Sequence, residues 1–415
     1  MRRVMLLLCL LLAPIVFAQE SSELELSPEL EVQIAELTTF TEGTRGLMLP
    51  ESLPLHFPNR AELRDYITEQ FDIAYTEELL AEYVRFYVAF DFLPADVDLR
   101  AILDTFYSGQ IGGFYDSETK EMNVVLLSSN ELSDSLPILE QIVYVHEYTH
   151  ALQDEAFDLT AYLEESNAVK NGDRQLARLA LVEGDATYLM NVFTIAAANE
   201  NPLGVLAGLL IGGAQAGNLT LPAGTPTIIA NELLFPYLGG ETFVRALYES
   251  TNDWSAVNAA FDNPPSTSEQ ILHPEKYFAG EEGIEVTLVD SAQKMGMEWT
   301  LGNEGVLGEF YLAEYLKTQL SESDANDAAA GWGGDAYHIY MNEAGELALM
   351  LRLEWDTPED QAEFEAAMAE FGQERYGVSA DESGCYETAD QTLCTNGRVV
   401  LVAPTKDLAL LMVSE

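Results

Sequence analysis

The sequence predicts an α+β protein with a mainly helical N-terminal core, a small β-hairpin or sheet, and a C-terminal α+β domain. Apolar residues recur at helical spacing between residues 61 and 107. Two short strand-like runs separated by a polar turn follow at 112–127. After about Gly283 strand-like and helix-like segments alternate, with no repeat period. Together these patterns favour two segregated regions over one repeating architecture.

The first 18 residues have the pattern of a secretory signal peptide. Arg2 and Arg3 precede a continuous apolar run, and Ala18 supplies the small residue expected before a cleavage site. The run is short for a membrane span, so we expect no stable span after signal removal and a secreted or periplasmic location. Residues 19–45 are acidic and weakly patterned, and we interpret them as a disordered lead or a short pro-segment.

The composition of the chain limits the classes of partner that it can bind. The 415-residue chain has a formal net charge of −51 and is 48% hydrophobic. A chain this negative is a poor partner for nucleic acid or anionic lipid. Its apolar content predicts a folded protein, and the excess of acids most simply indicates a heavily hydrated surface. The length suggests a core at 46–283 and a second domain at 284–415; no pattern indicates an oligomeric state.

In the core, amphipathic periodicity and capping residues define the helices. Pro137 suits a first helical turn, and Asp173 is a plausible N-cap. The uncharged stretch 203–214 is too short to span a bilayer and predicts a buried helix or a lid beside a cleft. In order, the predicted elements are helices over 61–88 and 98–107, the hairpin at 112–127, and helices over 137–157, 174–198, 203–214, 226–235, 241–249, 254–261 and 266–272.

The C-terminal domain has a mixed pattern. Cys385 and Cys394 are the only cysteines after the signal peptide, and an even pair in an exported chain predicts one disulfide across a hairpin. The predicted elements are a strand over 284–289, a helix over 307–320, a hairpin of 337–340 with 347–353, a helix over 357–371, and a closing hairpin of 398–402 with 408–413.

The segment His146-Glu147-Tyr148-Thr149-His150 carries the chemistry. Histidines four residues apart lie one turn apart on the same face of a helix, so both imidazoles can reach one metal ion. Glu147 is the residue expected to take a proton from an activated water. This H-E-x-x-H arrangement is typical of zinc hydrolases, in a chain with only five histidines. Two packed or solvated histidines are the alternative reading.

A catalytic zinc takes three protein ligands and leaves a position for water. The metzincin pattern is excluded because Gln153 and Ala156 stand where it needs glycine and histidine. Glu183 lies in an otherwise apolar helical stretch, where an unpaired carboxylate would be costly. It is the preferred third ligand. Asp185, about 160° away on a regular helix, and Asp154 are the rivals, and Asp154 is also a candidate to orient a histidine.

The tetrahedral intermediate of amide hydrolysis needs an electrophile besides zinc. His273, at a helix end before Pro274, is the preferred candidate, and a helix cap or buried structural histidine is the alternative. The phenols of Tyr115, Tyr237 and Tyr277 are further candidates, each with a purely structural reading. His56 and His338 are interpreted as structural.

The sequence therefore predicts an exported zinc-dependent enzyme that hydrolyses peptide bonds in a peptide or protein substrate, with Glu147 as general base. The hairpin before the metal helix offers an edge where an extended substrate could bind, although an ordinary core hairpin fits equally well. The alternatives are a zinc-binding scaffold without turnover and a zinc hydrolase that acts on a non-protein amide. An intact Glu147 argues against the scaffold.

The residues also carry a family resemblance. His146 to His150 with Glu183 resembles the gluzincin group of zinc metallopeptidases. Four segments resemble a poorly characterised bacterial family of exported metallopeptidase-like proteins: 113–116, 146–154, 181–187 and 268–277, with Trp332-Gly333-Gly334-Asp335 similar to its C-terminal pattern. The resemblance spans roughly residues 45–370 and implies a zincin-like core with zinc on those three ligands. The aspartate that many gluzincins have four residues after the glutamate ligand is Thr187 here.

Overall fold

The computed structural model describes residues 26–110, 112–129, 131–167, 171–215 and 224–413. The predicted signal peptide lies outside these ranges. The helices are α1 (Pro28–Arg45), α2 (Arg60–Ala74), α3 (Glu77–Ala89), α4 (Leu99–Gln110), α5 (Ile138–Phe157), α6 (Leu159–Asn167), α7 (Gly172–Glu200), α8 (Pro202–Gln215), α9 (Thr227–Thr251), α10 (Ser255–Asp262), α11 (Ser268–Leu272), α12 (Pro274–Ala279), α13 (Ala292–Met295), α14 (Gly308–Lys317), α15 (Glu322–Ala329), α16 (Pro358–Tyr376) and α17 (Lys406–Met412). The strands are β1 (Leu55–His56), β2 (Gly113–Asp116), β3 (Glu121–Val124), β4 (Trp299–Gly305), β5 (Trp332–Asn342), β6 (Leu347–Trp355), β7 (Cys385–Glu387), β8 (Thr392–Thr395) and β9 (Val399–Ala403).

The α+β class is confirmed. The N-terminal part is mainly helical and contains a small sheet in the order β1-β3-β2, in which β1 runs parallel to β3. The predicted hairpin is the antiparallel β2–β3 pair. The C-terminal part contains an antiparallel sheet in the order β4-β5-β6-β9-β8-β7. None of the described helices is long and apolar enough to cross a membrane.

Helix α5 lies at the centre of the N-terminal part. Its residues from Tyr144 to Asp154 are all buried, and it packs against α1, α7, α8 and the β2–β3 hairpin. A helix buried on every face has no solvated side, so polar residues along it need partners within the protein. The polar residues of the histidine motif are therefore held inside the fold.

Helices α7 and α9 pack more extensively than any other pair of helices, because glycines let their backbones approach closely. A Cβ atom added at Gly184 would lie 2.2 Å from backbone atoms of Gly240, and one added at Gly240 would lie 2.0 Å from the carbonyl oxygen of Ala180. Neither contact can relax without moving a helix backbone. This crossing sets the position of Glu183, the residue before Gly184.

Four local predictions for the core were wrong in whole or in part. The predicted helix over 61–88 is two helices, α2 and α3, because the side chain of Thr76 caps the start of α3. The segments 226–235 and 241–249 form the single helix α9, which continues through Pro236 because packing on α7 outweighs the lost hydrogen bond. The N-cap of α7 is Asn171, whereas Asp173 lies inside the helix and accepts a hydrogen bond from the backbone N–H of Ser268 at 3.0 Å. The buried-helix alternative for 203–214 is wrong, because Leu203 is 78% exposed and Leu206 and Leu210 are also exposed; the lid alternative stays a prediction.

The segment 19–45 was expected to be a disordered lead or a short pro-segment. Its residues from Pro28 to Arg45 form α1, capped by the Ser27 side chain and packed on α5 and α7. Arg45, the last residue of α1, is fully buried. The disordered reading is therefore wrong for α1, because burial of one face pays for ordering the helix. Cleavage as a pro-segment stays a prediction.

Two C-terminal strand predictions were also wrong. Residues 284–289 form no strand; the backbone N–H of Ile284 donates to the carbonyl oxygen of Gly333 and joins the segment to β5. Residues 408–413 fall largely in α17, because the Thr405 side chain accepts from the backbone N–H of Leu408 and starts a helix. The predicted disulfide between Cys385 and Cys394 is present across β7 and β8.

One hydrophobic cluster crosses the expected boundary at 283. The ring of Phe86 on α3 lies 5.4 Å from that of Tyr311 on α14 and 5.7 Å from that of Tyr337 on β5, measured between centroids. These residues belong to the same buried core. The two parts of the chain thus share apolar packing.

We predict that Gly184→Ala lowers the free energy of unfolding by about 1–3 kcal/mol, because the new methyl group overlaps the backbone of α9. Urea denaturation measures the loss. Gly43→Ala is the matched control: Gly43 is also helical but has open space around its Cβ position, so the change should stabilise by about 0.5–1 kcal/mol. Equal effects of both substitutions would contradict the proposed close crossing.

We also predict that the protein becomes less stable as the pH rises from 5 to 8. Burial raises the pKa of Glu232 from its ordinary 4.5 to about 7, partly offset by hydrogen bonds from Tyr87 and Tyr311. A carboxyl whose pKa is raised by folding contributes stability below its unfolded pKa, and loses it as the pH passes the folded value. The contribution is on the order of 3 kcal/mol.

The Glu232→Gln variant tests this, because glutamine does not titrate. Its free energy of unfolding, measured in urea at pH 5 and pH 8, should change less with pH than that of the wild type. An identical pH dependence in both proteins would show that Glu232 is not the source.

Candidate metal centre

Two helices bring together the three predicted ligands. His146 and His150 lie one turn apart on α5, and Glu183 faces them from α7. The two Nε2 atoms are 3.1 Å apart, and Oε2 of Glu183 lies 3.3 Å from that of His146 and 3.5 Å from that of His150. All three side chains are buried. The group therefore forms a nearly equilateral triangle of potential ligand atoms.

The triangle has the dimensions of a tetrahedral metal site. Zinc ligands at about 2.0–2.1 Å and at tetrahedral angles lie about 3.3 Å from one another. Two imidazole nitrogens that both present lone pairs at 3.1 Å repel unless a proton or a cation lies between them. Nδ1 of His146 and Oε2 of Glu183 have no hydrogen-bond partner in the described residues. The three residues fit a small divalent cation.

Electrostatics couple these groups strongly. Burial alone would lower the pKa of His150, but the neighbouring Glu183 carboxylate raises it to about 9. Burial would in turn raise the pKa of Glu183, but the two histidines lower it to about 2. Glu183 is thus a carboxylate that keeps its charge inside the protein. A divalent cation can replace the protons that it attracts.

Glu147 lies beside the triangle, under strand β2. Burial raises the pKa of its carboxyl group, while the two histidines and a hydrogen bond from the backbone N–H of Tyr115 oppose the shift. Its Oε2 atom has no hydrogen-bond partner in the parts of the chain that the structure describes. A Cβ atom at Gly113 would lie 2.9 Å from Cγ of Glu147 and 2.5 Å from Val143. Glycine at this position lets β2 pass directly over the carboxylate.

Gln153 orients His150. In the sequence, this residue served only to exclude the metzincin class. Nδ1 of His150 lies 2.9 Å from Oε1 of Gln153, which is one turn further along α5. Nε2 of Gln153 donates to the carbonyl oxygen of Val182 at 3.0 Å and to Oδ2 of Asp185 at 2.9 Å. The i to i+3 spacing was the available signal, whereas nothing in the sequence indicated the role of Asp185.

The rival ligands have other partners. Asp185 accepts hydrogen bonds from the guanidinium of Arg45. Asp154 accepts from the hydroxyl of Tyr115 at 2.7 Å and from Nζ of Lys120 at 2.5 Å, and it belongs to no metal-binding group among the described residues. Asp154 was proposed to orient a histidine, but it holds the hairpin against α5 instead. Oγ1 of Thr187 has no hydrogen-bond partner in the described ranges.

The structure does not bring His273 into this group. Its backbone N–H donates to the carbonyl oxygen of Glu269, and this hydrogen bond caps the end of α11. Its Nε2 lies 2.9 Å from Oε1 of Glu309. The ring of Tyr237 on α9 instead stacks on that of His146, with centroids 6.0 Å apart. Tyr277 donates to the carbonyl oxygen of Asn263. The hydroxyl of Tyr115, the remaining candidate for the electrophile, donates to Asp154. Among the four candidates, the ring contact with a predicted ligand is made by Tyr237.

A second acidic group, Glu269, Glu281 and Asp356, surrounds Nζ of Lys276. The ammonium pairs with all three carboxylates. Burial raises the pKa of Glu269 to about 8, and the hydrogen bond from Lys276 opposes this shift only in part. The lysine occupies the position that a cation would need.

We predict that Glu183→Gln removes most of the zinc-dependent stabilisation, because a neutral amide replaces the charged ligand. Wild-type protein with free zinc about 100-fold above Kd should gain about 2.7 kcal/mol, measured as a rise in Tm. Glu232→Gln is the control, as another buried glutamate on a different helix, and it should keep the full response. An unchanged response in Glu183→Gln would exclude Glu183 as a ligand.

Part of the C-terminal sheet region is similar to a known family. Residues 298–411 match the family described as "Domain of unknown function (DUF8575)". No curated protein matches the chain. A solved structure that is similar to it is described as "a putative hydrolase with a novel fold" from Chloroflexus aurantiacus. That likeness has a TM-score of 0.37 and 17% sequence identity, and it covers 61% of this chain and 90% of the other.

Proposed function

We propose that this protein is an exported zinc-dependent metallopeptidase. The observation that supports this most is the triangle of His146, His150 and Glu183, with sides of 3.1–3.5 Å, beside the buried carboxylate of Glu147. A site that only binds metal needs three or four ligands. It does not need a further carboxylate with an unpartnered oxygen next to them.

His146, His150 and Glu183 would hold the metal through Nε2, Nε2 and Oε2. Bound there, zinc would lower the pKa of a water molecule towards neutrality and polarise the carbonyl group of a substrate. The chain supplies the remaining parts. Helices α5 and α7 fix the ligand spacing, and the buried surroundings exclude bulk water.

Glu147 is the proposed general base and acid. Its carboxylate would take the proton from the attacking water, hold it on an oxygen, and deliver it to the nitrogen of the leaving amine. Burial raises the pKa of this carboxyl group, which suits a group that must both accept and release a proton near neutral pH. The N–H of Tyr115 keeps the carboxylate in position.

Strand β2 is the proposed binding edge for an extended peptide. It pairs with β3 on one side and has no strand on its other side in the described residues. Because N–H and C=O groups of alternate residues point to opposite sides of a strand, Gly113 shares the side on which Tyr115 reaches Glu147. The main-chain groups of Gly113 and the carbonyl oxygen of Tyr115 would therefore pair with the substrate backbone next to the site, while the N–H of Tyr115 stays on Glu147.

Tyr237 is the better candidate for the electrophile that stabilises the oxyanion. Its ring is half-buried and stacks on His146, which puts the ring next to a predicted ligand. His273, which the sequence favoured, would instead cap α11 and pair with Glu309. We assign His273 no role in the reaction.

Glu147→Gln tests the proposal. We expect kcat on casein or a peptide library to fall by about 10²–10⁴-fold, because the proton acceptor is lost, while zinc content measured by metal analysis is unchanged. Glu140→Gln is the matched control: Glu140 is a buried glutamate on the same helix that accepts hydrogen bonds from Leu127 and Ser128. It should retain activity.

The same measurements separate the alternatives. Wild-type protein that binds zinc but cleaves neither peptides nor cell-wall amides would be a binding scaffold. Cleavage of cell-wall amides alone would indicate a non-peptide hydrolase. Wild-type protein that binds no zinc would overturn the proposal.

A further inference from the structure

A chain of buried hydrogen bonds connects the candidate metal centre to the end of helix α1. His150 contacts Gln153, Gln153 contacts Asp185, and Asp185 contacts Arg45. Arg45 and Asp185 are both 0% exposed, and Gln153 is equally buried. The guanidinium binds the carboxylate through two nitrogens, with Nε at 2.9 Å from Oδ1 and Nη2 at 3.0 Å from Oδ2.

The partners of Gln153 decide which way its amide faces. Its two neighbours on one side, the carbonyl oxygen of Val182 and the carboxylate of Asp185, can only accept hydrogen bonds. The NH₂ group must therefore face them, and the amide oxygen must face Nδ1 of His150. An oxygen can only accept, so Nδ1 of His150 carries the proton. When His150 is neutral, as a metal ligand must be, Nε2 is therefore the nitrogen with the free lone pair, on the side of Glu183 and His146.

Arg45 keeps Asp185 in the orientation that this arrangement needs. Its Nη1 donates to the side chain of Asn258 at 2.8 Å, and its guanidinium lies 4.4 Å from the ring centroid of Trp254. The indole N–H of Trp254 in turn donates to the carbonyl oxygen of Thr44. Because these contacts fix the guanidinium of Arg45, the buried carboxylate of Asp185 has one preferred position.

We propose that Arg45, Asp185 and Gln153 are positioning residues that fix the tautomer of His150 for metal binding. We call this chain of three residues the Arg45 relay. The inference rests on the proposed function, since the lone pair of Nε2 of His150 would bind the metal. His146 has no such support, because its Nδ1 lacks a hydrogen-bond partner among the described residues. The relay thus makes His150 the preoriented ligand of the pair.

The relay also makes α1 a part of the metal centre. Arg45 is the last residue of that helix, so removal of residues 19–45 as a pro-segment would take the guanidinium away. Asp185 would be left as a buried carboxylate without its charged partner. The relay therefore requires that α1 stay attached in the mature protein.

Gln153→Met and Asp185→Asn test the relay in the full chain. Methionine has a similar length but no hydrogen-bonding amide, and it leaves the pair of Arg45 and Asp185 intact. Both carboxylate oxygens of Asp185 accept from Arg45, so in either orientation asparagine places its NH₂ group against a guanidinium N–H, and the fixed acceptor for Gln153 is lost. We expect zinc affinity, measured by competition with a chelator, to fall about 10–100-fold in each variant.

Thr38→Val is the matched control. Thr38 also lies on α1 and makes a hydrogen bond of 2.8 Å to the hydroxyl of Tyr144 on α5, outside the relay. The substitution weakens the same helix interface, so zinc affinity should stay within twofold of the wild type. A loss of zinc affinity in Thr38→Val equal to that in the relay variants would show that general loosening of α1, and not the tautomer, is responsible.

A spectroscopic measurement separates orientation from stability. In zinc-loaded wild-type protein, the Nδ1 proton of His150 should give a slowly exchanging NMR signal, because Gln153 accepts from it. The signal should persist in Thr38→Val and be lost in both relay variants. If Asp185→Asn does not fold, Gln153→Met alone decides. Unchanged affinity and an unchanged signal in folded variants would overturn the relay, whereas failure of the wild type to bind zinc would overturn the proposed function.

Discussion

The charge of Glu183 is buried where α7 meets α5, and the arrangement of the site depends on how that charge is balanced. A carboxylate in such a place is stable only if cations or hydrogen-bond donors surround it. His146 and His150 meet this need from one side and lower the pKa of the carboxyl group to about 2. The same balance leaves three ligand atoms at 3.1–3.5 Å from one another. The capacity of these three residues to hold a metal and the stability of this helix contact therefore depend on the same charge balance.

Close backbone approach positions the other parts of the site. Gly184 and Gly240 let α9 lie directly against α7, and α9 carries the ring of Tyr237 to His146. On the opposite side, Gly113 lets β2 cross above Glu147, where the N–H of Tyr115 reaches the carboxylate. At these positions the absence of a side chain decides how near two elements can come. The geometry of the candidate site thus depends on residues that carry no chemistry themselves.

The excess of acidic residues is not only a surface property. Asp335, in the segment Trp332-Gly333-Gly334-Asp335, is fully buried and accepts from the backbone N–H groups of Leu307 and Gly308 and from the indole of Trp332. Burial raises its pKa to about 6, although these donors oppose the shift. The carboxylate thereby joins β5 to the start of α14. The motif that resembled a family pattern has a structural explanation here, as a junction within the C-terminal part.

Local sequence patterns were sufficient for the features that depend on near neighbours. The spacing of His146 and His150, the β2–β3 hairpin and the disulfide each follow from residues close along the chain. The fold class and the choice of Glu183 over Asp185 also followed, because helical periodicity determines which side chains share a face. Tertiary contacts alone decided the rest. Arg45 lies 140 residues from Asp185, and no local pattern reveals a contact at that separation. Tertiary contacts also decided that α9 continues through Pro236, that α1 is folded and which residue His273 contacts. In each case, packing energy between distant segments outweighs local preference.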